Sequence, residues 1–231
     1  MKKSVWFLVV VLMLLGISAC GQGAEVIEDP YPLRIGQYWI YGGDVITTDG
    51  TGMQVEWKME VVDKIERGHV KGYLMLGHPS DLAFYDVNSP PTRSEFTIVK
   101  VNDGRIYQGS KDLYTRLKDL NDDLINLVSG AQLIYDFPLT YGKRFCESEQ
   151  MTRQDGGYCW IVNREEIVNI VDVIGVSGQR QYFSYYLLHS TLSDYIGKSF
   201  VPGIGLTMYA YVHHGSPGSV DVVLREYYSG R

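Results

Sequence analysis

The sequence has few of the residues, and none of the short motifs, from which catalytic sites are usually recognised. Of its 231 residues only three are cysteine and five are histidine, and the histidines lack the spacing of metal ligands. The chain contains no Gly-x-Ser-x-Gly, no His-Glu-x-x-His and no glycine-rich phosphate loop between a strand and a helix. We therefore expect no enzyme, no cofactor and no metal site.

A cluster of lysine and arginine is also missing. The chain carries 21 of these residues against 27 acidic ones, which gives a formal net charge of −6 at pH 7. Binding to nucleic acid or to anionic lipid by charge relies on basic patches. No nucleic-acid partner is expected.

The one long apolar run, Val5–Leu15, falls short of the roughly 20 residues that span a bilayer as a helix. Lys2 and Lys3 precede it and small residues follow it, which is the order of a secretory signal peptide. The closing Ile17-Ser18-Ala19-Cys20 resembles the bacterial lipobox. An ordinary secretory signal that happens to contain a cysteine is the alternative.

The lipobox resemblance implies that residues 1–19 are removed and that Cys20 carries diacylglycerol, with a further acyl chain such as palmitate on its amino group. The formal charge then becomes −8, because two lysines and no acidic residue are lost. Several acyl chains hold a protein at a membrane where one chain does not. The expected location is the bacterial cell envelope. Because position 21 is Gly rather than Asp, we expect the outer membrane in a cell with two membranes, and otherwise the outer face of the cytoplasmic membrane.

Two further cysteines, Cys146 and Cys159, flank a polar stretch that contains Asp155-Gly156-Gly157. In an oxidising compartment this spacing predicts a disulfide at the base of a two-strand excursion. Two free thiols, or half of a metal site, are the alternatives.

Most of the mature chain alternates apolar and polar residues between turn residues, as antiparallel strands do. We expect a lipidated tether over residues 20–30 and a single β-rich domain over residues 31–228. The predicted fold is mainly β, a curved antiparallel sheet or half-barrel, with a β-sandwich as the alternative. The predicted strands are 53–66, Tyr73–Leu76, Glu95–Val101, Arg105–Gln108, Glu165–Ile174, Gln179–His189, Leu206–His213 and Val220–Tyr228.

One segment departs from this alternation. Its leucines, at positions 113, 117, 120, 124 and 127, recur at helical spacing. They predict an amphipathic helix over Lys111–Val128, with Ser110 as N-cap and Gly130 at its end. We expect the leucines to cover one face or end of the sheet; a lid is the alternative.

The chain repeats a phrase of aromatic-Pro-Leu-x-x-Gly-x-x-aromatic, first over Tyr31–Trp39 and again over Phe137–Phe145. Proline fixes an extended entry, leucine anchors it, and glycine permits a bend before a strand. We interpret the phrases as the openings of two similar halves, at residues 31 and 137, with chance recurrence as the alternative.

These two phrases and the later Phe200–Leu206, with its Pro-Gly-x-Gly turn, resemble a broad group of bacterial lipoproteins and secreted β-rich envelope proteins. The resemblance implies a curved antiparallel sheet, similar to the half-barrels of periplasmic lipoprotein carriers. It implies no activity and no site residues.

Tyr182, Phe183, Tyr185 and Tyr186 crowd one strand, so both of its faces should be covered. The first hypothesis is therefore a membrane-anchored binding or carrier-like module for an apolar ligand or envelope component, to which the sequence assigns no ligand-binding residues. The alternative is a structural or assembly lipoprotein that presents a β surface to a protein partner. Hydrolysis outside the cytoplasm ranks third. A tightly packed interior would count against the first hypothesis.

The mature protein should contain no free thiol before reduction, because Cys20 carries lipid and Cys146 is bonded to Cys159. In the chain-entropy model, a loop of this length stabilises the fold by about 3 kcal/mol. Thiol titration of the denatured, unreduced protein measures this directly. Two free sulfhydryl groups would rule the disulfide out.

Overall fold

Short alternating segments, repeatedly interrupted by turn residues, become a meander of antiparallel strands. The computed structural model describes residues 29–146, 158–176, 181–191, 193–215 and 217–230. The strands in this part of the chain are β1 (Tyr38–Ile46), β2 (Gly52–Arg67), β3 (Val70–Leu76), β4 (Glu95–Val101), β5 (Arg105–Ser110), β6 (Gln132–Asp136), β7 (Arg144–Cys146), β8 (Cys159–Asn169), β9 (Gln181–Ser190), β10 (Asp194–Val201), β11 (Gly205–His213) and β12 (Ser219–Tyr228).

All twelve strands belong to one sheet, in the order β6-β5-β4-β3-β2-β1-β12-β11-β10-β9-β8-β7. Every pairing is antiparallel, and the first and last strands meet in the middle of this order. The sheet is nearly closed and barrel-like. The predicted mainly β fold with a curved antiparallel sheet is thus confirmed, as one continuous sheet and not the two sheets of a sandwich.

The helical elements lie in two connections. A 3-10 helix, Pro79–Leu82, joins β3 to β4, while α1 (Lys111–Lys118) and α2 (Leu124–Ser129) join β5 to β6. Leu117 of α1 lies against Gly72 of β3, and Leu113 lies against Gly109 of β5. As expected, the leucines of α1 cover part of one sheet face.

The predicted helix over Lys111–Val128 is wrong in its extent, because a non-helical segment separates α1 from α2. The side chain of Asp119 accepts a bond from the amide of Asn121 at 3.0 Å, and that of Asp123 accepts one from Ile125, also at 3.0 Å. Short polar side chains that bond the nearby backbone compete with helix formation. The polar residues therefore end one helix and cap the next, while Ser110 makes no side-chain capping bond.

The strands predicted over 53–66, Tyr73–Leu76, Glu95–Val101 and Arg105–Gln108 are confirmed as parts of β2 to β5, and Asn102-Asp103-Gly104 connects the hairpin of β4 and β5. The last two predicted strands form the hairpin of β11 and β12. The strand predicted over Glu165–Ile174 is displaced: β8 begins at Cys159, where it pairs with β7, and ends at Asn169. Ile174 leaves the β8–β9 ladder to bond with β12 instead. Residues 177–180, which include the first two of the predicted strand Gln179–His189, lie outside the described residues.

The first copy of the repeated phrase forms a tight turn before β1. The amide of Gln37 donates to the carbonyl of Arg34 at 3.0 Å, and Gly36 has a φ of 80°, a left-handed value that favours glycine. Gly36 then donates to the carbonyl of Val61 at 3.0 Å, and Val61 donates to Gln37 at 2.9 Å. The turn is thereby fixed to β2.

The second copy repeats these bonds before β7. The amide of Lys143 donates to Thr140 at 3.0 Å, Gly142 has a φ of 79°, and Gly142 and Lys143 exchange bonds of 2.8 Å each with Val162 of β8. In both copies the bonded valine is followed at once by a shift in the strand register. The two phrases therefore have the same local structure. The division into one domain with two similar halves stays a prediction.

The described chain enters the domain at one end of the sheet, which we call the entry end. There Lys100 of β4 donates to both carboxylate oxygens of Asp29, at 2.5 and 2.6 Å, and to the carbonyl of Tyr31 at 2.7 Å. Gly203, between β10 and β11, donates to the carbonyl of Pro30 at 2.9 Å. Because alternate connections of an antiparallel meander lie at the same end, the β2–β3, β4–β5, β8–β9 and β10–β11 connections share the entry end. The β1–β2, β3–β4, β9–β10 and β11–β12 connections lie at the far end.

The contact between β1 and β12 can be tested at Gly43. A Cβ at this position would lie 2.1 Å from the carbonyl oxygen of Asp221 and 2.9 Å from the Cα of Val222. Gly43→Ala must push the two strands apart, and we expect a loss of about 1–3 kcal/mol in the free energy of unfolding. Gly52→Ala is the matched control, because a Cβ there meets nothing within 4 Å. Urea unfolding in which both variants equal the wild type would contradict the close pairing of these strands.

Candidate functional site

Large aromatic side chains fill the space that the sheet encloses. Trp39 and Tyr41 of β1, Trp160 of β8, Phe200 of β10 and Tyr209 of β11 are almost completely buried. A nearly closed sheet of twelve strands surrounds more space than one of eight, so small side chains alone would leave it hollow. The interior of this domain is a packed core.

The entry end is closed by rings from both copies of the repeated phrase. The ring centre of Phe200 lies 5.5 Å from that of Tyr31, 4.6 Å from that of Tyr135 and 5.3 Å from that of Phe137. Outside this cluster is a cleft of about 240 Å³, between Asp29 and Lys100 on one side and Phe137 on the other. This volume is below the roughly 300–1,000 Å³ of sites for drug-sized ligands.

The far end is closed by the segment that contains the 3-10 helix. Leu82 is buried there, and the Nδ1 atom of His78 accepts a hydrogen bond from the backbone amide of Ser80 at 3.1 Å. The ring of His78 stands edge-on to Phe96 and Tyr209, at 5.3 and 5.5 Å between centres. Burial, with a smaller contribution from the charge of Lys198, lowers the pKa of His78 well below its usual value.

Among the described residues, one lysine is buried in this core. Lys198 of β10 is buried, and its ammonium lies 4.3 Å from the centre of the Trp160 ring, a cation–π geometry. The ring of His189 packs on the same tryptophan at 4.8 Å. Sequence reasoning missed this group, because no strand was predicted over β10 and an inward lysine breaks the expected apolar alternation.

The most exposed aromatic ring at the far end rests on a polar support. Phe84 has a φ of 59° and is 53% exposed, and its ring contacts those of Tyr211 and His213, at 5.6 and 5.3 Å. Asp194 accepts bonds from the Tyr211 hydroxyl at 2.9 Å and from the His213 ring at 2.7 Å. The bond from His213, more than that from Tyr211, lowers the pKa of Asp194. We call these four residues the Phe84 platform.

The left-handed backbone at Phe84 costs about 1–2 kcal/mol for a residue with a Cβ. Such conformations persist where the surroundings impose them, and they concentrate at functional sites. No signal in the sequence marks Phe84, since its partners lie more than 100 positions away on β10 and β11.

The residues singled out from sequence fall in different places. Cys20 lies outside the described residues, and Cys146 is bonded to Cys159 in the structure. Of the aromatic residues on β9, Tyr185 and Tyr186 are half-buried and Phe183 is exposed at the entry end. Of the two adjacent histidines at the end of β11, His214 is exposed, whereas His213 belongs to the Phe84 platform.

The described residues lack two kinds of feature. Their His, Cys, Asp and Glu side chains form no group of three that could ligate a metal ion. None of their helices combines the length and apolar character that crossing a bilayer requires.

Comparison with known proteins gives a similarity of fold alone. No protein-family model and no curated protein matches the chain. One similar solved structure is a protein from Bacteroides fragilis described as exported and with a YmcC-like fold, at 14% identity and a TM-score of 0.42, covering 87% of this chain and 99% of that one. Another, described as a lipoprotein of Parabacteroides distasonis, has 11% identity and a TM-score of 0.41 over 87% of this chain and 98% of that one. At these values neither assigns a function.

Burial of His78 makes a prediction about acid stability. The unfolded chain binds a proton on this residue below a pH of about 6.5, whereas the folded chain keeps it neutral. The free energy of unfolding should therefore fall as the pH drops below about 6.5, by up to about 1.4 kcal/mol per pH unit from this group. His78→Asn keeps an acceptor for the Ser80 amide and should lose less stability between pH 7 and pH 5. The free energy of unfolding is measured by urea denaturation between pH 5 and pH 7. If it changes with pH by the same amount in both proteins, the buried, neutral histidine is contradicted.

Proposed function

We propose that the protein is a cell-envelope lipoprotein, anchored through lipid on Cys20, whose domain binds another envelope component at its surface and does not catalyse a reaction. The partner is a protein, and it is recognised at the Phe84 platform. The carrier-like alternative, in which an apolar ligand occupies the interior, is the less favoured form of the same binding role.

The anchor is supported by the lipobox-like Ile17–Cys20. Only residues 21–28 separate Cys20 from Asp29, and at 3.3–3.6 Å per residue they span at most about 30 Å. A lipid on Cys20 therefore keeps the entry end within about 30 Å of the membrane. In a cell with two membranes, Gly21 favours the outer one.

The packed interior supports recognition at the surface. The carrier hypothesis needs a cavity that accepts an acyl chain or a similar apolar group. The fully buried rings of Trp39, Trp160 and Phe200 occupy that space, and both ends of the sheet are closed. An apolar ligand could enter only by displacing core side chains.

The Phe84 platform is the observation that carries the proposal. Protein interfaces are centred on a few aromatic anchors held in place before binding. Phe84 is a half-exposed ring in a costly backbone conformation, and Tyr211 and His213 support it. Asp194 accepts hydrogen bonds from both supporting residues. The Phe84 ring is therefore held in place before binding and loses little conformational entropy when a partner binds.

The test is photo-crosslinking in intact cells that express the full chain. A photoreactive benzoylphenylalanine replaces Phe84 in one variant and the exposed Glu56 of β2 in the matched control. We expect a discrete crosslinked protein with the first variant and none with the second. Crosslinks of equal yield at both positions, or none at position 84, would overturn the proposal. So would native mass spectrometry that finds a co-purified small molecule lost on denaturation, since this outcome favours the carrier.

A further inference from the structure

The exposed apolar side chains of the domain are concentrated at its entry end. Ile35 and Tyr141 occupy the same position in the two copies of the repeated phrase, each just before the left-handed glycine of the turn. Tyr141 is 72% exposed, and more than half of Ile35 is exposed as well. The turns are fixed to β2 and β8 by backbone bonds, so both side chains are held outward at this end.

The connection between α1 and α2 adds a second group. The guanidinium of Arg67, at the entry-end tip of β2, donates to the carbonyls of Asp119, Leu120 and Asp122. These bonds hold the connection at the entry end. Leu120 is 80% exposed there, and Ile125 at the start of α2 is 74% exposed.

The β8–β9 hairpin adds a third group. Ile167 lies opposite Phe183 near the entry-end tip, and both are exposed. Beyond β8, Val171 and Ile174 are each more than two-thirds exposed. Ile174 is nevertheless fixed, because its amide donates to the carbonyl of Arg225 at 2.9 Å and its carbonyl accepts from Tyr227 at 2.8 Å.

The far end exposes smaller fractions of its large apolar residues, with Ile46, Val87, Tyr195 and Val212 each less than half exposed. Among the large apolar residues that the structure describes, Phe84 alone is more than half exposed there. Monomeric soluble proteins rarely expose many large apolar residues together, and such surfaces mark contacts with a partner or a membrane. The entry-end group lies where the chain leaves toward Cys20, at most about 30 Å along residues 21–28.

We propose that the entry end rests on the bilayer to which the protein is anchored, with these apolar side chains in the boundary between headgroups and acyl chains. The inference rests on the proposed lipid attachment at Cys20. The contact is assigned to apolar burial more than to charge, because two of the basic groups at this end are paired within the domain, Lys100 with Asp29 and Arg105 with Asp103. The partner surface is neutral lipid.

The test places tryptophan at each end of the lipidated full-length protein. Leu120→Trp and Tyr141→Trp report on the entry end, Phe84→Trp is the matched control, and the wild type supplies the background of its native tryptophans. Each protein is reconstituted in phosphatidylcholine vesicles whose acyl chains carry bromine, which quenches tryptophan on contact. We expect the added emission to fall at least two-fold for both entry-end variants and to stay unchanged for Phe84→Trp. Replacing a fifth of the lipid with an anionic one should change neither result.

The two proposals fail in different ways. If the intact mass lacks acyl chains and the protein is released from membranes, the lipid anchor itself is wrong. If the protein is acylated and sediments with the vesicles but Leu120→Trp and Tyr141→Trp keep their full emission, docking of the entry end is wrong. A change in their emission that follows protein concentration, without vesicles, would assign this surface to a second copy of the chain and overturn the proposal.

Discussion

The pairing of the first strand with the last holds the rest of this structure in place. Every other pair of neighbouring strands in the sheet is consecutive along the chain, whereas β1 and β12 are its two ends. Their contact runs from Tyr38 opposite Tyr228 to Ile46 opposite Ser219. Without it the chain would be two six-stranded meanders, each with an additional open edge and an uncovered aromatic face. Such a long-range contact carries the cost of closing almost the entire chain, so it forms only together with the core that it encloses.

Because the core is filled by side chains, the proposed binding depends on the two ends of the sheet and not on its interior. Rings from β1, β8, β10 and β11 occupy the centre. The two copies of the repeated phrase contribute Tyr31 and Phe137 to the closure of the entry end. The 3-10 helix and His78 close the far end. Lys198 of β10 also lies in this core. Its ammonium packs against the face of the Trp160 ring. In the proposed binding role, recognition therefore takes place at the two ends of the sheet.

Much of this fold follows from the sequence, because local signals fix its strands and turns. The alternation in β2, the turn at Asn102-Asp103-Gly104 and the glycine of each repeated phrase each act over a few residues. Prediction from the sequence failed where a contact between distant residues determines the structure. Ile174 pairs with β12 instead of extending the β8–β9 ladder. The inward-facing Lys198 interrupts the alternation of apolar and polar residues by which β10 could have been predicted. The Phe84 platform joins the β3–β4 connection to β10 and β11, so no local period could reveal it. The helix was predicted too long because its leucine spacing continues through a polar break.

The opposite characters of the two rims fit one orientation of the domain. A lipid on a short tether limits the distance between domain and bilayer, but by itself it leaves the domain free to rotate. The apolar residues around Ile35, Leu120 and Tyr141 would remove that freedom, because any rotation away from the membrane returns them to water. Phe84 would then point outward on its support of Tyr211 and His213, and the proposed partner would meet a ring of fixed position. Since ordering a binding site in advance lowers the entropy lost on association, the proposed contact of the entry end with the membrane would strengthen the proposed binding at the far end.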